Sequence, residues 1–159
     1  MRNPLRLLPL VLLLALPAHG EDSRIEIVRV FTGWRDAASF QRISEFFTGR
    51  EDTGGLIVLR SQPAERAGYY WLVRLKNRAA PMPGATLELQ VVTPLSPEAK
   101  TFAFPTDLRA KTSVYRVGLT GADWPGPKAT PVAWQLRVLA PDGRTVVARQ
   151  SFLWAEPQK

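Results

Sequence analysis

The chain has 159 residues, no cysteine and one histidine, and its 21 Lys and Arg against 14 Asp and Glu give a formal net charge of +7. That histidine is His19, inside an apolar N-terminal segment, so residues 21–159 offer neither imidazole nor thiol. Ser-His-Asp and Cys-His nucleophiles, thiolate zinc sites and histidine metal sites are excluded together, and stability must come from packing without disulfides.

Arg2 and Arg6 precede an apolar run from Leu7 to Leu16, followed by Pro17-Ala18-His19-Gly20 and the acidic pair Glu21-Asp22. This is the pattern of a secretory signal peptide over residues 1–20, with small residues before a cut at Glu21. The run is too short to cross a bilayer, which needs about 20 residues, so no membrane span is expected after cleavage. Residues 21–159 have the length of one domain. The expected setting is exported, either periplasmic or secreted. Sixteen of the basic residues are arginines, scattered without a run of three; a nucleic-acid surface would cluster them on one face. A solvated basic surface with weak attraction for anionic envelope polymers fits better.

In chain order, Arg24 to Phe31 reads as a first strand, although Ile25 and Ile27 share a face while Val28 and Val30 occupy both parities. Trp34 follows in a loop. From Asp36 to Thr48, Phe40, Ile43 and Phe47 recur at helical spacing, with Asp36 to cap the start and Gly49 to close the end. The expectation is one short helix over about 36–48 that lies with its apolar stripe on a sheet. A membrane-surface role for this helix would call for more Lys and Arg than it carries. Leu56 to Leu59 is apolar on both sides, as a covered strand is.

Tyr69 to Lys76 is the central strand. Tyr69, Trp71, Val73 and Leu75 form its core face, and Tyr70 and Leu72 begin the other, where the helix is expected to land. Ala85 to Thr93 alternates Leu87, Leu89 and Val91 inward with Glu88 and Gln90 outward. A short strand at Thr101 to Phe104 stops at Pro105, and Ser113 to Leu119 places Tyr115, Val117 and Leu119 on one side. The segment Thr120 to Pro127 is a rigid loop carrying Trp124. The final hairpin turns at Ala140-Pro141-Asp142-Gly143-Arg144, where proline, aspartate and glycine suit a type I turn with a left-handed bulge position. With Ala140 opposite Arg144, Val138 would face Val146, Leu136 Ala148, Trp134 Gln150 and Val132 Phe152.

Seven to eight short strands, one early helix and no βαβ alternation predict a two-sheet antiparallel sandwich, with a small β-barrel as the alternative. From Tyr69 to Trp154 the pattern resembles immunoglobulin- or fibronectin-type domains, with Trp71 in the role of the buried core tryptophan; the paired cysteines of true immunoglobulin domains are missing.

No motif identifies a ligand or a reaction. Trp34 and Trp124, placed in loops, are the tryptophans open to ligand stacking, while Trp71, Trp134 and Trp154 suit a core. Arg60, Arg66 and Tyr70 cluster around the entry to the central strand, where a guanidinium beside a phenol would bind an anion, unless a carboxylate such as Glu65 takes the arginine. An acid pair such as Asp107 and Asp123 would suit glycoside hydrolysis only if the two converge on a cleft. Gly54-Gly55 is a turn and not a phosphate loop. No catalytic residue, metal ligand or cofactor is expected. The reading is a non-catalytic exported module that binds a protein partner or an anionic or glycan envelope component through Trp34, Trp124, Arg66 and Tyr70. The alternatives are a carboxylate-dependent hydrolase acting on polysaccharide and an assembly chaperone that offers a sheet edge.

Overall fold

Residues 24–154 are described by a computed structural model of the chain; the expected signal segment, residues 1–20, lies outside them. The strands are β1 (Ile25–Arg35), β2 (Ile57–Arg60), β3 (Gly68–Asn77), β4 (Met82–Thr93), β5 (Ser96–Leu108), β6 (Lys111–Thr120), β7 (Ala133–Leu139) and β8 (Thr145–Gln150). They form two open four-stranded sheets, ordered β1-β3-β6-β2 and β5-β4-β7-β8. The architecture is therefore the sandwich and not the barrel. All pairs are antiparallel except β2, which runs parallel to β6, so the first sheet is mixed where an antiparallel one was expected.

The alternation along each strand dictates what the sheets bury. Tyr69, Trp71, Val73 and Leu75 of β3 and Tyr115, Val117 and Leu119 of β6 meet Leu87, Leu89 and Val91 of β4 and Leu136 and Val138 of β7 in one core. The mixed parity of β1 has a physical cause. Its register against β3 shifts between Ile27 and Arg29, a bulge that leaves Val28 exposed and turns Val30 and Trp34 inward behind Ile25 and Ile27. β1 therefore runs four residues past Phe31, and Trp34 lies on a strand opposite Tyr69, not in a loop.

β5 continues through Pro105 to Leu108 instead of stopping at it. It is an edge strand, where a missing N–H costs no ladder bond if it faces outward. The final turn closes as expected, with Gly143 N–H donating to Ala140 O at 2.8 Å and Ala140 N–H to Arg144 O at 2.9 Å. A bulge between Val138 and Leu139 then moves the register by one, pairing Val138 with Val147 and Leu136 with Arg149. Trp134 meets Ser151 through Ser151 N–H donating to Trp134 O at 2.9 Å. Phe152, expected to face Val132, is 80 % exposed.

The largest departure is the early helix. Instead of one helix over 36–48 there is a 3-10 turn at Ala37–Phe40 and a six-residue helix α1 at Ile43–Thr48. Gly49 ends α1 in the left-handed conformation at φ 65°, as glycine permits at that position. Asp36 does not cap; its carboxylate accepts the Trp34 indole N–H at 2.8 Å.

Candidate binding face of the first sheet

On the outer face of the first sheet the registers place Gly33, Tyr70, Gly118 and Arg60 in one row and Phe31, Leu72, Arg116 and Val58 in the next. The segment from Arg35 to Leu56 folds over these rows. Phe40 covers Tyr70 with ring centroids 4.8 Å apart, and the Arg60 guanidinium stands 5.1 Å from the Phe40 centroid, within cation–π range. Tyr70 is fully buried. Its ring occupies the space above Gly118, which has no side chain to fill it.

A polar frame surrounds this aromatic stack. Arg60 Nε donates to Tyr70 Oη at 3.1 Å, and Tyr70 Oη donates to Arg66 O at 2.8 Å. The Arg60 fork donates to both Glu51 oxygens, at 2.9 and 2.6 Å, the bidentate geometry that makes such pairs strong. Arg66 donates to Glu45 at 2.6 Å and lies 3.8 Å from Glu51. Ser44 Oγ donates to Asp52 at 2.6 Å, and the Gly54 N–H donates to the other Asp52 oxygen at 2.8 Å. All three carboxyls are held below their ordinary pKa: Glu45 chiefly by Arg66, Glu51 by Arg60, and Asp52 by the Ser44 hydroxyl and the Gly54 N–H. Burial pushes the Tyr70 phenol up, against the opposing pull of Arg60.

These bonds turn α1 the wrong way out. Its polar residues Ser44 and Glu45 face the body of the protein, while Ile43, Phe46 and Phe47 are 77, 75 and 85 % exposed. Only Phe40, from the 3-10 turn, lands on Tyr70 as the helix was expected to do.

Among the four residues singled out for binding, Arg66 and Tyr70 come together, but their polar groups are taken up within the protein by Glu45, Glu51 and Arg60. The exposed pair of tryptophans does not form. Trp124 is 5 % exposed, stacked on Tyr69 with centroids 4.6 Å apart and edge-on to Trp71 at 6.0 Å. Trp34 is half-buried against the same core. Both tryptophans thus plug the Tyr69 end of the sandwich, because the β1 bulge and the turn after β6 aim them inward. Asp107 lies on β5 beside Tyr115, whose hydroxyl donates to Asp107 O at 3.1 Å, and Asp123 lies beyond Thr120 at the end of β6; strand rise from Tyr115 to Thr120 is roughly 16 Å, more than the ~5–9.5 Å of a glycosidase pair.

Nothing in the sequence alone sets Arg116 apart. It lines a cavity of about 240 Å³ between the sheet and the covering segment, with Arg35, Phe40, Arg42, Leu56, Val58 and Leu72 among its neighbours there. Its Nη1 is buried without a hydrogen-bond partner. Its signal was an arginine alternating with Tyr115 and Val117 in a strand, which shows only that it faces away from the core; the cover over it comes from residues far off in sequence.

Neither a family model nor a curated protein matches this chain. Among solved structures it is similar to an immunoglobulin-like protein from Pseudomonas aeruginosa, at 17 % identity over 82 % of this chain and 97 % of that one, with a TM-score of 0.34. The sandwich itself rests on the strand order and registers.

Proposed function

We propose that this β-sandwich is an exported, non-catalytic module that docks a partner protein on the apolar face of α1. The observation that carries the reading is the inverted helix. Each large apolar side chain left in water forgoes about 1.5–3 kcal/mol of burial, yet the ion pair Arg66–Glu45 and the Ser44–Asp52 bond hold Ile43, Phe46 and Phe47 outward. Three such side chains present on the order of 400 Å², the size at which a surface patch becomes an interaction site. That is about half of one side of a standard interface, leaving the exposed Gln41, Arg42 and Arg50 to form a polar rim.

The chemistry of the patch favours a protein over an envelope polymer. Ile43, Phe46 and Phe47 carry no hydrogen-bonding group, whereas a glycan site needs polar atoms beside its flat rings. Affinity capture from the native envelope with the wild-type chain and with Phe46→Ser/Phe47→Ser tests this. The expected result is a protein retained by the wild type and lost with the double variant; equal retention by both would remove α1 as the docking face.

A further inference from the structure

We propose that the cavity beneath the covering segment is a site for a single carboxylate carried on a small apolar body, with Arg116 as its cation and Arg35 on its rim. Arg116 is half-buried, with its Nη1 shut off from water and without a hydrogen-bond partner; an arginine stays charged in a protein, so that nitrogen is a donor open to an anion. The walls contain two carboxylates that would have satisfied Arg116, but both are committed elsewhere. Glu51 is engaged through both oxygens by Arg60. Asp52 is engaged by Ser44 and Gly54, with Arg42 3.8 Å away. Arg35 and Arg116 enter no ion pair among the described residues, and both line the cavity.

The remaining walls define the ligand. Leu56, Val58, Leu72 and Phe40 supply apolar wall beside the polar Ser39 and Thr53, so an anion on a hydrocarbon or aromatic body fits the cavity. Glu51 and Asp52 are ionised at neutral pH, their pKa values held low, and repel a second negative charge. A monoanionic carboxylate therefore fits better than a phosphate. The volume of about 240 Å³ lies just under the ~300–1,000 Å³ of drug-sized pockets, which suits a small acid or the terminal residue of a chain. The site shares Arg42 with the rim of the α1 patch but does not rest on what docks there.

The test is titration of the full-length mature chain with phenylacetate, inorganic phosphate, and acetyl-glycyl-phenylalanine as its free acid and its amide, followed by amide and arginine side-chain NMR. Phenylacetate is expected to shift the signals of Val58, Leu72 and Arg116 and to raise the unfolding midpoint by linkage. Phosphate is expected to bind more weakly. If the peptide acid binds more tightly than phenylacetate and its amide does not bind, the natural carboxylate is a chain terminus; equal or weaker binding by the peptide points to a free acid. Arg116→Gln should weaken phenylacetate about tenfold or more, while its ligand-free unfolding midpoint stays level or rises, because an uncompensated charge is gone. Phe46→Ser/Phe47→Ser should bind phenylacetate as the wild type does. Absence of shifts at about 10 mM phenylacetate, a level that detects even millimolar dissociation constants, would overturn the site. So would undiminished binding by Arg116→Gln, a loss of its ligand-free stability, or phosphate binding more tightly than phenylacetate.

Discussion

Replacing Gly118 with alanine asks whether Tyr70 is truly fixed across the outer face of the first sheet. At an ordinary strand position this change stabilises by about 0.4–1 kcal/mol, because it restricts the unfolded chain. Here a Cβ would stand 2.6 Å from Tyr70 Cζ and 2.7 Å from Cδ1, and nearer still to Cε1. The ring is held in place: Phe40 lies over it, Arg60 and Arg66 O hold its hydroxyl, and it is fully buried. Overpacking against immobile neighbours costs typically 1–3 kcal/mol, so Gly118→Ala should destabilise by about 2 kcal/mol. In urea, with a slope of about 1–3 kcal/mol per molar, the midpoint should fall by roughly 1 M at unchanged slope. Adding Tyr70→Ala should cost less in the Gly118→Ala background than in the wild type, by more than about 1 kcal/mol, since the two side chains compete for one space. A Gly118→Ala protein as stable as the wild type, or more so, would refute the packing of Tyr70 described here.

Three further outcomes follow from the same geometry. Phe46→Ser/Phe47→Ser should leave the urea midpoint unchanged or slightly higher, because both rings already face water; burial of the helix stripe against the sheet would instead predict a loss of about 3–5 kcal/mol per ring. Trp124→Ala should destabilise by about 3–5 kcal/mol, since its ring stacks on Tyr69 inside the core, and a stable variant would contradict that placement. Acid should loosen the covering segment before the sheets. The carboxyls of Glu45, Glu51 and Asp52 have folded pKa values below their ordinary ones, so their contribution is complete above the unfolded range near 4 and is lost as pH falls through the lower folded values. Amide exchange from pH 7 to about 2.5 should show Ile43–Thr48 losing protection while β3 and β6 keep theirs, and Glu45→Gln should weaken that dependence.

The parts legible in the sequence are those decided by strict alternation within one strand. Leu87, Leu89 and Val91, and Tyr115, Val117 and Leu119, face the core as their spacing requires. The turn at Ala140 to Arg144 was legible because proline and glycine restrict backbone angles locally. What was not legible depends on insertions of a single residue. The bulge near Val28 turns Trp34 inward, and the bulge at Val138 displaces β8 by one register position; periodicity carries no mark of either. The helix failed for a different reason. Its apolar spacing suits a buried face, but the ion pair and the hydrogen bond that fix its orientation come from Arg66 and Asp52, whose proximity is a property of the fold. The same holds for Arg116, whose neighbours Val58 and Leu72 reach it only through strand pairing.

Photo-crosslinking in the native envelope tests whether α1 holds its apolar face outward for a partner protein. A benzophenone side chain replaces Phe47 in one variant and Leu95, an equally exposed apolar residue at the β4–β5 turn, in another. One discrete protein adduct is expected from position 47 and none from position 95. The same adducts from both positions, or none from position 47, would contradict this expectation.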